Sequence, residues 1–150
     1  VTLTDGVFIG YRHHDRTGVA PRFPFGFGLS YTTFAYENLR MPTTMEPGKC
    51  FEVQVDVINT GTRTGIEIVQ LYLSDLEASV PRPVRELKGY ATVALDPSER
   101  KTVTLRLQER DLQFFAVDRG AWTTEPGEFE VHVGASAMDL RLSGRFTYPG

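Results

Sequence analysis

The groups in this chain that could do chemistry are nineteen carboxylates, three histidines and one cysteine. A carboxylate pair working as general acid and base needs one member in a water-poor setting that raises its pKa. Here the Asp and Glu side chains fall on alternating outward strand positions or in turns, where a solvated charge costs least. No catalytic residue is assigned among them. In "YRHHD" the neighbours His13 and His14 sit on an expected short strand and point to opposite faces, so they cannot easily share a metal. His132 occupies an outward strand position, so no metal site is assigned. Cys50 is the only cysteine, which excludes an internal disulfide. No cationic cluster adjoins it to lower its pKa, and it reads as the cap of a strand start. "GFG" before "LSYT" has two glycines but neither the spacing nor the lysine of a phosphate loop. Gly26 and Gly28 are read as tight backbone turns, and no cofactor site is assigned. Trp122, beside a turn, is expected to plug the end of the fold rather than stack on a ligand.

The elements that would carry these residues are strands. In "FEVQVDV" Phe51, Val53, Val55 and Val57 face one way while Glu52, Gln54 and Asp56 face the other, the mark of a half-buried strand. The alternation recurs in "TVTLRL", with Val103, Leu105 and Leu107 inward, and in "EFEVHV", with Phe129, Val131 and Val133 inward. "LRLSGRFTY" supplies a last strand. Turn-forming stretches, "NTGTRTG", "DPSER", "DRGAW" and "EPGE", separate them. A single helical turn is expected near "ERDLQFF". Short strands at near-regular spacing predict an antiparallel β-sandwich. Seven such strands need about 100 residues, so a chain of 150 has a surplus. The surplus lies at the front, where a short strand "GVFIGYR" leads into the aromatic loop "RFPFGFGLSYTTF".

That loop puts four phenylalanines and a tyrosine into a stretch that proline and glycine keep irregular, so it is expected to be buried against something. "GIEIVQLYL" adds a related signal. With Val69, Leu71 and Leu73 inward, Ile66, Ile68 and Tyr72 point outward, and three apolar residues on one outer face predict a cover. The front segment or a neighbouring domain is expected to supply it. The net charge of −3 gives no general reason to bind nucleic acid or an anionic membrane. No apolar run approaches the roughly 18 residues of a transmembrane helix. The start lacks the sections of a signal peptide and an initiating Met, the pattern expected of a piece of a longer chain.

Several strings occur in order: "GVFIGYRHHD", "FPFGFGLSYTTF", "VINTGTRTGIEIVQLYLSD", "VPRPVRELKGY", "LDPSERKTVTLRL", "EPGEFEVHVGAS" and "DLRLSGRF". Together they resemble the C-terminal part of family-three glycoside hydrolases, the β-glucosidase and β-xylosidase group, from about Gly6 to Phe146. The resemblance implies an all-β, immunoglobulin-like (fibronectin type III-like) antiparallel sandwich over residues 31–150. Residues 1–30 would be an aromatic connector from a preceding α/β domain. It also implies that the catalytic Asp and Glu lie in domains ahead of residue 1, so this segment is inactive alone and needs no cofactor or metal. The expected partners are the catalytic domains of the same parent chain and, through them, a β-linked oligosaccharide or glycoside. The residues expected to pack between domains are Phe23, Phe25, Phe27, Tyr31, Phe34, Ile68, Tyr72, Arg82 and Arg85. The rival readings are a free-standing carbohydrate- or protein-binding sandwich and, more remotely, an enzyme in its own right.

Overall fold

A computed structural model describes residues 6–150. Among the described residues, nine strands and two short helices follow one another. They are α1 (Tyr11–Thr17), β1 (Phe34–Arg40), β2 (Phe51–Asn59), β3 (Gly65–Asp75), β4 (Glu86–Leu95) and β5 (Arg100–Leu107). α2 (Glu109–Leu112), β6 (Phe114–Ala116), β7 (Ala121–Thr123), β8 (Gly127–Ser136) and β9 (Asp139–Tyr148) complete the order. Seven of the strands make two antiparallel sheets, β1-β2-β5 and β4-β3-β8-β9, while β6 and β7 form a separate hairpin. This is the expected sandwich, opening at Phe34.

The alternating residues do what their period dictates. Phe51, Val53, Val55 and Val57 of β2 meet Val69, Leu71 and Leu73 of β3 and Phe129, Val131 and Val133 of β8 in one core, with Val103, Leu105 and Leu107 of β5. At one end Phe146 lies 4.4 Å from Phe51 and 5.5 Å from Phe129, ring centre to ring centre. Each such side chain contributes roughly 1.5–3 kcal/mol of transfer free energy, an upper figure since unfolded chains are partly collapsed. The turn after β2 is built on the fully buried Asn59. Its amide donates to the carbonyls of Arg63 and Leu95, and its oxygen accepts from Thr32 Oγ1 and Gly61 N–H. Every hydrogen-bonding direction of the side chain is used, so its burial carries no unpaired cost.

The outer face of β1-β2-β5 is polar and laced together. Asp56 accepts from Asn38, Arg40 and Thr102, Arg100 pairs with Glu37, and Arg106 pairs with Glu52. The single helical turn expected near "ERDLQFF" is α2, closed by a capping box between Gln108 and Asp111.

Two expectations fail. "GVFIGYR" is not a strand: Gly10 takes a left-handed φ of 58° and the chain enters α1, which ends at Gly18 with φ 70°. Trp122 does not plug the sandwich. It sits on β7, opposite Phe115 of β6, and is 66% exposed.

Candidate interdomain docking surface

The front segment, residues 6–33, is an arm laid over the outer face of β3 and β4. Three contacts pin it, and each follows from the sheet below. The first is at a bulge: Leu71 pairs with Gly89 and Tyr72 with Leu87, so Lys88 is the extra residue. The Leu87 N–H is left to the arm, and Tyr11 Oη of α1 accepts it at 2.9 Å. The Tyr11 ring packs edge-on against Tyr72 at 5.8 Å and stacks on Phe25 at 5.0 Å.

The second contact is ionic. One helical turn beyond Tyr11, on the same face of α1, Asp15 is almost fully buried and paired with Arg85. Arg12 pairs with Glu86. Glu86 also takes Arg82, which in turn reaches Asp75 and the Leu112 carbonyl. Burial lifts the Glu86 carboxyl, but Lys88, Arg82 and Arg12 outweigh it and hold the group below the usual range. Lys88 is itself shifted down, by burial first.

The third contact is the loop after α1. Phe25 C=O accepts from Ala137 N–H, and Gly26 C=O accepts from Gln70 Nε2. Gly26 has φ 79°, and a Cβ there would lie 2.4 Å from the Gln70 amide. Only glycine fits this approach. Gln70 Oε1 accepts from Tyr72 Oη, so the outward polar residue of β3 becomes the seat of the arm.

The outward apolar residues of β3 therefore divide. Tyr72 is fully buried under this chain's own arm, whereas Ile66 and Ile68 remain half or more exposed. Tyr72 is thereby removed from the residues available to another domain. Arg82 leaves that set too, its guanidinium held by Asp75, Glu86 and the Leu112 carbonyl, while Arg85 gives Nη2 to Asp15 and keeps a buried Nε with no partner. Within the Val80–Tyr90 segment the charged residues Arg82, Arg85 and Glu86 pair within this chain, whereas Val80, Val84 and Tyr90 stay exposed.

The remaining expected residues stand as follows. Phe23, Phe25 and Phe27 are about half exposed or more, and Tyr31 is 92% exposed beside Leu29 at 93%. Phe34 is partly buried against the core. Phe27, Phe34 and Ser30 line an open cavity of about 500 Å³ with Glu67 and Arg141. Burial raises the Glu67 carboxyl, opposed by the Tyr36 hydroxyl that donates to it and by Arg141. Two features of the arm escaped the sequence reading, Leu29 and the α1 latch. The spacing of Tyr11 and Asp15, one turn apart, was the available signal for the latch.

His13 and His14 meet edge to face on α1, and His14 Nδ1 bonds the Val19 carbonyl beyond the helix end. Among the described residues no three His, Cys, Asp or Glu side chains gather as a metal site would need. No helix among the described residues is long and apolar enough to cross a membrane.

Residues 67–137 match the fibronectin type III-like domain family. A β-glucosidase of Bacteroides ovatus is 43% identical over 145 residues, covering 96% of this chain and 19% of that protein. A β-glucosidase of Rhizobium radiobacter is 41% identical over 143 residues, 95% of this chain and 18% of the relative. Among solved structures, β-glucosidase 3B of Thermotoga neapolitana superposes with a TM-score of 0.89 at 38% identity, over 98% of this chain and 20% of that one. The family-three β-glucosidase of Bifidobacterium adolescentis gives 0.89 at 37%, over 96% and 21%. Coverage this complete takes in the arm as well as both sheets, while the chain spans about a fifth of each relative's length. The chain carries a fibronectin type III-like domain, homologous along almost its whole length to a segment of family-three β-glucosidases.

Proposed function

We propose that the chain is the non-catalytic, C-terminal accessory domain of a family-three β-glycosidase, with residues 1–30 as the connector from a preceding domain and 31–150 as the sandwich. The parent reaction is hydrolysis of a β-linked sugar, with the catalytic Asp and Glu in domains ahead of residue 1. The observation that carries this reading is the two-sidedness of the arm. One side is pinned to the sheet by Tyr11, Asp15 and Gly26. The other leaves Phe23, Phe27, Leu29 and Tyr31 open, next to Ile66 and Ile68. Apolar residues held open on a rigid support suit a fixed neighbour. The reading is tested by assaying the isolated chain and its parent on a nitrophenyl β-glucoside. Turnover by the parent and none by the chain supports it; turnover by the chain overturns it.

A free-standing carbohydrate-binding sandwich is the second reading, favoured by the exposed Phe115–Trp122 pair. Affinity electrophoresis in β-glucan gels separates the two, since retardation of the isolated chain supports binding.

A further inference from the structure

The β6–β7 hairpin is an aromatic surface that the arm does not cover. Phe115 and Trp122 pair across its two strands, ring centres 5.8 Å apart and 76° between planes. A hairpin of three-residue strands has little stability of its own. This one is held from below, by Ala116 buried in the fold and by Phe114 against the Arg82 guanidinium at 5.6 Å. Its outer pair stays in water and forms, with Pro81, Pro83 and Val80, a groove of about 300 Å³. Val84, close in sequence, is half exposed.

The arm begins at the rim of this groove. Val7 and Arg12 line it together with Trp122 and Phe115, so a polypeptide feeding into residue 6 enters beside the aromatic pair. A module carried on that polypeptide is held near the groove and meets it at a raised effective concentration. The charges in the groove wall make no demand on an occupant, because Arg12 and Arg82 both pair with Glu86. That favours an apolar protein surface over a sugar, which needs free donors and acceptors. The two rings also stand edge to face rather than as the parallel platforms a row of sugar rings would use.

We propose that Phe115, Trp122 and the Val80–Val84 segment form a second docking surface, occupied by the module directly upstream in the same polypeptide. The inference rests on the reading that this chain is the accessory domain of a longer glycosidase. The upstream module is thus gripped on both sides of α1, at the groove and at the Phe23–Tyr31 loop.

Hydroxyl-radical footprinting of the full-length polypeptide tests it, with the guanidinium-unfolded protein as reference. Trp122 oxidation is expected to slow by about tenfold or more, since a docked anchor excludes water, and to stay slow on dilution and without added sugar. Oxidation close to the unfolded rate overturns the proposal, as an uncovered, mostly exposed indole would give that result. Protection that fades on dilution assigns the surface to a second copy, and protection only with added cello-oligosaccharide assigns it to a ligand; either overturns it. Phe23, Phe27 and Leu29, read in the same experiment, report on the arm. If they are protected and Trp122 is not, only the second surface falls. If none is protected, the accessory-domain reading falls with it.

Discussion

Asp15 holds the arm by a charge that water barely reaches, its side chain 2% exposed against Arg85 at 19%. Removing one member of such a pair leaves the other poorly solvated, and Arg85 keeps only partial contact with water. Asp15→Ala is expected to cost about 2–3 kcal/mol in urea unfolding of the isolated chain. The fall should shrink when Arg85 is also replaced by Met, because the stranded charge is then gone. His132 is the residue to watch in acid. It bonds Ser74 Oγ, and burial, aided by Arg85 and opposed by Glu130, holds its imidazole below the usual 6.5. The unfolded chain therefore takes up the proton first, and stability falls as pH drops through about 6.5. His132→Gln is expected to flatten that slope between pH 7 and 5 in melting curves. Asp56 acts in a lower window. Arg40, Asn38 and Thr102 hold its carboxyl well below the usual 3.8, so its contribution is present above that pH and lost below it. Glu67, raised by burial, has the opposite sign and offsets part of the loss once it protonates.

At the scale of elements, the strands were legible because their physics is local. Phe51 to Val57 and Phe129 to Val133 alternate, and alternation on a pleated backbone is burial on one face. α1 was not legible. Val7, Phe8 and Ile9 look like a strand start, and seven residues are too few for a helix to stand on propensity alone. The helix persists because Tyr11 docks on Leu87 of β4 and Asp15 on Arg85 just ahead of it, a tertiary cause that no local window contains. Trp122 misled for a related reason, since nothing nearby in sequence says that its hairpin stands outside the two sheets. The bulge at Lys88 is the other half of the Tyr11 contact. Tyr11→Phe keeps the rings stacked but removes the acceptor for Leu87 N–H. It is expected to cost about 1 kcal/mol, and hydrogen exchange should show the Leu87 amide losing protection before its strand neighbours do.

For the whole molecule, the candidate site was half readable. The aromatic loop announced itself by composition, and Phe23, Phe25, Phe27 and Tyr31 are about half exposed or more in this chain, whereas Tyr72 is buried. The guanidinium groups of Arg82 and Arg85 could not be placed from sequence, because their acids come from Asp75, Glu86 and the distant Asp15. Replacing Phe23, Phe27 and Leu29 together by Ser separates folding from docking. In the isolated chain these side chains already meet water, so its melting point should barely move. In the parent the same change is expected to lower the temperature at which activity is lost. Equal shifts in both would mean that the loop serves its own sandwich.

The ladder of paired charges on β1-β2-β5 gives the molecule a wet back opposite its greasy front. Captured on an apolar resin or a graphite surface, the chain would settle arm-first and turn the Glu52–Arg106 side toward the liquid. An antibody raised against that rear sheet would recognise the immobilised chain, while one raised against the arm would not.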